Sequence, residues 1–188
     1  MPPIPKFSKK DIVQCSYEIV KKEGFAKLNA RRIAAELGCS VQPIFHNFTS
    51  MEELNKEVYK CIYQKYKAYM LSGKEKENPY KQMGISYIEF ASDYPEFFKI
   101  LFMQKTTLNA NDFVVNDAIG EDVIKTGQTL TGLSYEEQKK FHVKVWIFTH
   151  GIACLVATKT IQFTQEEIEE LLAKSVKEML IGYIKERK

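Results

Sequence analysis

Long apolar runs are missing from this 188-residue chain. The best stretch, Trp146–Ala157, falls short of the roughly 18–20 residues that a membrane helix needs, and His150 and Gly151 interrupt it. The N-terminus has no apolar segment resembling a secretory signal, so a cytoplasmic protein with no membrane partner is expected. Cysteine is scarce. Cys15, Cys39, Cys61 and Cys154 lie far apart with no C-x-x-C pair, which argues against a disulfide framework or a cysteine-based zinc site. Cys15, Cys61 and Cys154 fall on apolar helical faces, where a thiol usually serves as a small hydrophobe. The three histidines, His46, His142 and His150, show no metal-ligand spacing among themselves. Glycine-rich phosphate loops and nucleophile elbows are also absent. No enzyme, no metal and no cofactor is expected. Strand alternation beyond four residues, hairpin dipeptides between apolar runs and internal repeats are lacking as well.

What remains reads as helices throughout. At 45% hydrophobic and 27% charged residues the chain has the composition of a globular protein, not a disordered one. Ser8 precedes a helix with Ile12, Cys15, Ile19 and Val20 at helical spacing, and Gly24 ends it. Asn29 is a good N-cap for a short second helix with Ala30, Ile33, Ala34 and Leu37 facing inward, broken at Gly38. Ser40 is expected to cap a third, carrying Val41, Ile44, Phe45 and Phe48. Ser50-x-x-Glu53 is a capping box opening a long fourth helix with Leu54, Val58, Ile62, Tyr66 and Tyr69 along one stripe.

Ser72-Gly73 and the charged run Lys74–Glu77 mark a break. Asn78-Pro79 starts the next helix, Tyr94-Pro95 ends it, and a short aromatic helix follows over Glu96–Met103. The segment Asn109–Thr131 is expected to be helical with frayed ends, because Asn109, Asn111, Gly120 and Gly127 weaken it. Ser134-x-x-Glu137 and Thr164-x-x-Glu167 open two long helices reaching about Thr158 and Arg187. The expected fold is all-α: an N-terminal three-helix helix-turn-helix domain over 6–66, with its motif at 29–48, and a C-terminal helical bundle over 78–188.

Charge is unevenly placed. Residues 1–67 hold 12 Lys/Arg against 7 Asp/Glu, or +5, whereas 68–188 hold 15 against 17, or −2. A basic first third suggests that a polyanion meets it. Two short helices around a glycine turn, packed on a longer one, can hold a recognition helix out so that its first residues reach base edges. The same arrangement also occurs in bundles that bind no DNA.

The residues say more. The run Gly24-Phe25 … Ile33-Ala34-Ala35-Glu36-Leu37-Gly38-Cys39-Ser40-Val41-Gln42-Pro43-Ile44-Phe45-His46-Asn47-Phe48 … Ser50-Met51-Glu52-Glu53-Leu54 resembles the N-terminal domain of the tetracycline-repressor (TetR) family. The likeness covers about residues 6–66. Trp146-x-x-x-His150-Gly151 resembles the Trp…His-Gly signature of one TetR subgroup. The resemblance implies a DNA-binding transcriptional regulator, of repressor type, working as a homodimer on a double-stranded operator. It places Asn29 and Arg31 at phosphate, with Ser40 capping the recognition helix and donating to phosphate. Val41, Gln42 and Pro43 would face base edges, Gln42 matching adenine and Val41 or Pro43 a thymine methyl. His46 and Asn47 would be phosphate donors. Phe45 stands on the same face where the family usually has tyrosine, so a hydroxyl contact is lost. Met51 replaces the frequent lysine, so a phosphate charge is lost too, for which Lys6, Lys9, Lys10 and Lys27 could compensate. Phe45 and Met51 leave a second reading open: a helical ligand-carrier or protein-interaction module with a non-functional helix-turn-helix.

Residues 78–188 are rich in aromatics, Phe113 among them. An aromatic stripe at helical spacing is more often core than pocket, yet a bundle of this size could enclose an apolar cavity for an unknown small-molecule effector. Tyr87, Phe90, Phe98, Phe102, Met103, Trp146 and His150 are the expected lining; His150 could equally hydrogen-bond within the core. On the last helix Ile168, Leu171, Leu172, Val176, Met179, Leu180 and Tyr183 share one side. In the resembled family the last two helices pair with their copies as a four-helix bundle, a role that this stripe fits.

Overall fold

A computed structural model describes residues 7–106 and 118–186; Lys6, Asn109, Asn111 and Phe113 lie outside the described residues. No strand occurs among the described residues. The helices are α1 Lys9–Glu23, α2 Ala30–Leu37, α3 Gln42–Asn47, α4 Met51–Lys74 and α5 Pro79–Asp93. They continue as α6 Pro95–Phe102, α7 Ala118–Thr131, α8 Tyr135–Ala157 and α9 Gln165–Lys185. A single 3-10 turn, Phe25–Lys27, separates α1 from α2. The chain divides into two compact units, one of Met1–Tyr66 with Glu96–Gln104, the other of Lys67–Pro95 with Lys105–Lys188.

Local chemistry sets most helix ends. Ser8 caps α1 in a reciprocal box with Asp11, and Gly24 closes it at φ 76° with its N–H on the Val20 carbonyl. Asn29 caps α2, and Gly38 ends it in the left-handed region that a side chain would disfavour. Asn78 and Pro79 open α5, and the boxes at Ser134–Glu137 and Thr164–Glu167 are both fully formed.

Three expectations are corrected or refined. Ser40 does not cap α3: Val41 is the N-cap residue, with no side-chain bond. Pro43 in the first turn has no N–H to offer, and the Ile44 and Phe45 N–H groups both donate to the Val41 carbonyl, so little is left for a Ser40 hydroxyl to satisfy. Secondly, α4 does not break at Ser72-Gly73 but runs through to Lys74. A Cβ at Gly73 would stand 2.7 Å from Ser86 Oγ and 2.8 Å from the Gln82 carbonyl oxygen. This glycine permits close approach of α5 and is not a terminator. Thirdly, much of the apolar stripe of α9 packs within its own unit. Ile168 and Leu172 are buried, and Val176, Met179, Leu180 and Tyr183 pack on Leu133, Phe141 and Val145 of the same unit. Only Leu171 of the seven is exposed.

The first unit closes over Ile12, Ile19, Val20, Ile33, Ile44, Phe48, Leu54 and Val58. Phe97 and Phe98 of α6 are buried there too, Phe97 lying 4.8 Å from the Tyr17 ring between centroids. In the second unit α5 is buried around most of its circumference, through Met83, Ile85, Ser86, Tyr87, Ile88, Phe90 and Ala91. A helix apolar all round belongs at the centre of its bundle, and α5 packs against α7, α8 and α9.

Candidate nucleic-acid interface

The recognition segment is held from behind. Ile33 and Ala34 of α2, with Ile44 and the flanking Phe48, are buried, while Leu37 is half-buried. Burying those positions turns the opposite side of the turn and of α3 outward. Val41, Gln42, Phe45 and His46 are all exposed there, Val41 at 38% and Phe45 at 51%. Val41 and Phe45 are four apart, so they share a face.

The other expected residues are placed differently. Ser40 is exposed on the turn and Pro43 is half-buried in the first turn of α3. Asn29 is exposed, but its Oδ1 accepts the Arg32 N–H at 2.9 Å. Asn47 is half-buried, its amide donating to the Pro43 carbonyl at 2.8 Å and the Phe7 carbonyl at 3.4 Å. Arg31 is exposed and has no ion-pair partner among the described residues. Arg32 instead bridges Glu23 at 2.9 Å and Glu36 at 2.8 Å, binding α2 to the end of α1.

One positioning contact was not visible in the sequence. Lys9, named above as a spare phosphate cation, donates to Glu53 Oε1 at 2.9 Å and lies 4.7 Å over the Phe48 ring. The other carboxylate oxygen of Glu53 accepts the Thr49 N–H at 2.8 Å and its hydroxyl at 2.9 Å. Thus Ser50 accepts the Glu53 N–H as a capping box requires, but the carboxylate returns to Thr49, one residue earlier. Hydrogen bonds from Lys9 and then from Thr49 hold the Glu53 carboxyl at about 2, well below its ordinary range. The clamp joins the start of α1 to the start of α4 beside the Phe48 end of α3. A pair 44 residues apart leaves no local signal.

The seven residues expected to line an effector cavity fall into separate units. Phe98, Phe102 and the exposed Met103 belong to the first, the Phe98 and Phe102 rings meeting tilted by 46° at 5.2 Å. Tyr87, Phe90, Trp146 and His150 belong to the second. There Trp146 stacks on His150 at 4.5 Å and 11°, His150 Nδ1 meets the Tyr87 hydroxyl at 3.0 Å, and burial pushes the imidazole down from its ordinary value. The second unit also holds a cleft of about 270 Å3, lined mainly by Tyr80, Phe141, Val145, Leu172 and Val176, with Lys177 among its polar residues. None of the seven lines it. Trp146 and His150, one helical turn apart, are half-buried and stack on each other, with Tyr87 on the imidazole.

Among the described residues no helix is long and apolar enough to cross a membrane. A search of curated proteins gives no match. Residues 12–58, from the buried Ile12 of α1 to Val58 of α4, match the sequence profile of the family described as bacterial regulatory proteins, tetR family. That stretch contains the whole of α2, the turn and α3, and it is identified as a tetR-family helix-turn-helix domain, the DNA-binding part of a transcriptional regulator.

Proposed function

We propose that the protein is a ligand-responsive repressor that binds a near-palindromic operator as a homodimer. The exposed face of Val41, Gln42, Phe45 and His46 on a helix braced from behind carries the DNA half of this reading. Arg31, the exposed cation nearest that face in sequence, would add a phosphate contact. Support for the dimer is a run of exposed apolar positions on the last two helices: Ile147 on α8, with Leu171, Ile181 and Ile184 on α9. Gly151 and Gly182 lie in open space on the same two helices, where a second copy could approach closely. A two-fold pair would set its recognition helices about 34–36 Å apart, over successive faces of the major groove. The cleft in the second unit supports an effector site. An effector would act only through its differential affinity for two arrangements, a coupling of about 1–3 kcal/mol, with α4, continuous over Met51–Lys74, as the covalent link.

The test is selection of bound fragments from a random duplex pool with the full chain, followed by titration in salt. A palindromic motif and a log–log salt slope near −5, as about six phosphate contacts per dimer imply, are expected. A flat salt response without a motif would instead favour a carrier or interaction module whose head does not read DNA. Sedimentation of the free protein, with Ile147→Glu as the control that reduces it to monomers, tests the dimer.

A further inference from the structure

The chain carries no lysine or arginine between Arg32 and Lys56. That interval contains the end of α2, the turn, all of α3 and the start of α4. It therefore holds neither of the side chains that most often read guanine, through its O6 and N7. Its acidic residues, which would accept from cytosine N4, are Glu36, Glu52 and Glu53. None lies on α3; Glu36 is paired to Arg32, Glu52 to Lys56 and Glu53 to Lys9. What the recognition face does offer is two large apolar side chains, one amide and the His46 imidazole. Val41 and Phe45 support nothing behind them, since Ile44 and Phe48 supply the buried contacts, yet both are kept apolar and open to water.

From this we infer that the recognition face reads A·T pairs by their thymine methyl groups. Phe45 and Val41 lie against methyls in the major groove, and Gln42 pairs with an adjacent adenine through N6 and N7. Each operator half-site is then A·T-rich where α3 enters it. His46, next to Phe45 on α3, is left to phosphate, the role that the family resemblance gives it. With phosphate anchoring reduced to a few lysines outside the interval and to Arg31 and His46, the methyl contacts carry a larger share of affinity than is usual for such a head. The inference rests on the DNA-binding reading above and adds to it the base composition of the site and the residues that set it.

The experiment takes the duplex selected from the random pool and replaces its thymines, one at a time, with deoxyuridine, which lacks only the methyl. Loss of a buried methyl is expected to weaken binding about fourfold at each thymine that faces Phe45 or Val41. Phe45→Ala should lose a similar factor on the thymine duplex and become indifferent to uracil at its own position. Because Phe45 is exposed, that variant should melt with the parent, which separates a reading role from a structural one. Selected half-sites built on G·C pairs at the positions α3 faces, or uracil duplexes bound as tightly as thymine duplexes, overturn this inference and leave DNA binding intact. No retained duplex at all would overturn both.

Discussion

The Tyr80 hydroxyl stands 2.8 Å from Nδ1 of His142, and that imidazole is almost wholly buried in the second unit. With no charged partner in contact, burial pushes the histidine down to about 4 from an ordinary 6.5. The contact is therefore one between a phenol and a neutral ring. Gln138, also buried, accepts from Thr131 at 2.7 Å in the same region. The sign follows from proton counts: between pH 6.5 and 4 the unfolded chain binds a proton at this position that the folded chain does not. Stability should be flat above pH 6.5 and fall as pH drops toward 4, by at most about 3 kcal/mol from this group. Urea midpoints across that range should show the slope, and His142→Phe combined with Tyr80→Phe should flatten it.

Glu53 gives a second acid limb with a separate range. Its carboxyl is held near 2 in the fold, against an ordinary 4.5. A depressed acid contributes stability above its unfolded value, and that contribution disappears as pH falls through the folded one. The limb therefore runs from about 4.5 down to 2, below that of His142. Glu53→Gln should lower the melting temperature at neutral pH and leave the two proteins converging near pH 2. Because the Lys9–Glu53 pair is solvent-accessible, the difference should shrink in high salt. A gap that stays constant across this pH range would show that the clamp does not hold the start of α1 to α4.

These two contacts mark where sequence stops being informative. Helix starts were legible because a cap is written within four residues: Asn29, Asn78-Pro79, Ser134–Glu137 and Thr164–Glu167 all act as their spacing indicates. Which side of α3 is exposed was legible too, since one period of apolar residues decides which side is buried. Ser40 misled because it looks like a cap, whereas Pro43 removes much of what a cap would satisfy. The α9 stripe was only partly legible. Apolar periodicity says that a face is covered, not whether its cover is the same chain or another, and here Leu133, Phe141 and Val145 cover part of it. Likewise, an aromatic composition could not distinguish rings that stack on one another, as Trp146 and His150 do, from rings around a cavity.

Gly73 shows the same limit in one residue, and it can be tested directly. A glycine within a helix is usually improved by alanine, which restricts the unfolded chain, and Gly73 is the penultimate residue of α4. At Gly73 the added carbon would stand under 3 Å from Ser86 Oγ and from the Gln82 backbone, and backbone gives way poorly. Gly73→Ala should therefore destabilise by about 1–3 kcal/mol, as overpacking does. Gly182→Ala, also within a helix but with open space around it, should stabilise the isolated chain by about 0.4–1 kcal/mol. Opposite signs for the two substitutions in urea unfolding are the expected result. A stabilised Gly73→Ala variant would mean that α4 and α5 are not in such close contact there.

Arg31 and Gln42 should separate the two kinds of DNA contact. Arg31 is exposed at the start of α2, whereas its neighbour Arg32 is committed to Glu23 and Glu36. On the proposed DNA-binding reading, a free guanidinium there would meet phosphate, which carries no sequence information. Arg31→Ala should weaken all duplexes by a similar factor and reduce the magnitude of the salt slope by about one for each head. Arg32→Ala should act chiefly through stability, because its ion pairs join α2 to α1. Gln42 lies exposed in the first turn of α3, where an amide can match adenine in two bonds. Gln42→Ala should leave the salt slope unchanged and cost about 1–3 kcal/mol on the selected site, with much less loss on random duplex. If Gln42→Ala instead weakened selected and random duplexes equally, α3 would be touching the backbone and not the bases, and the recognition face would have to be sought elsewhere on the head.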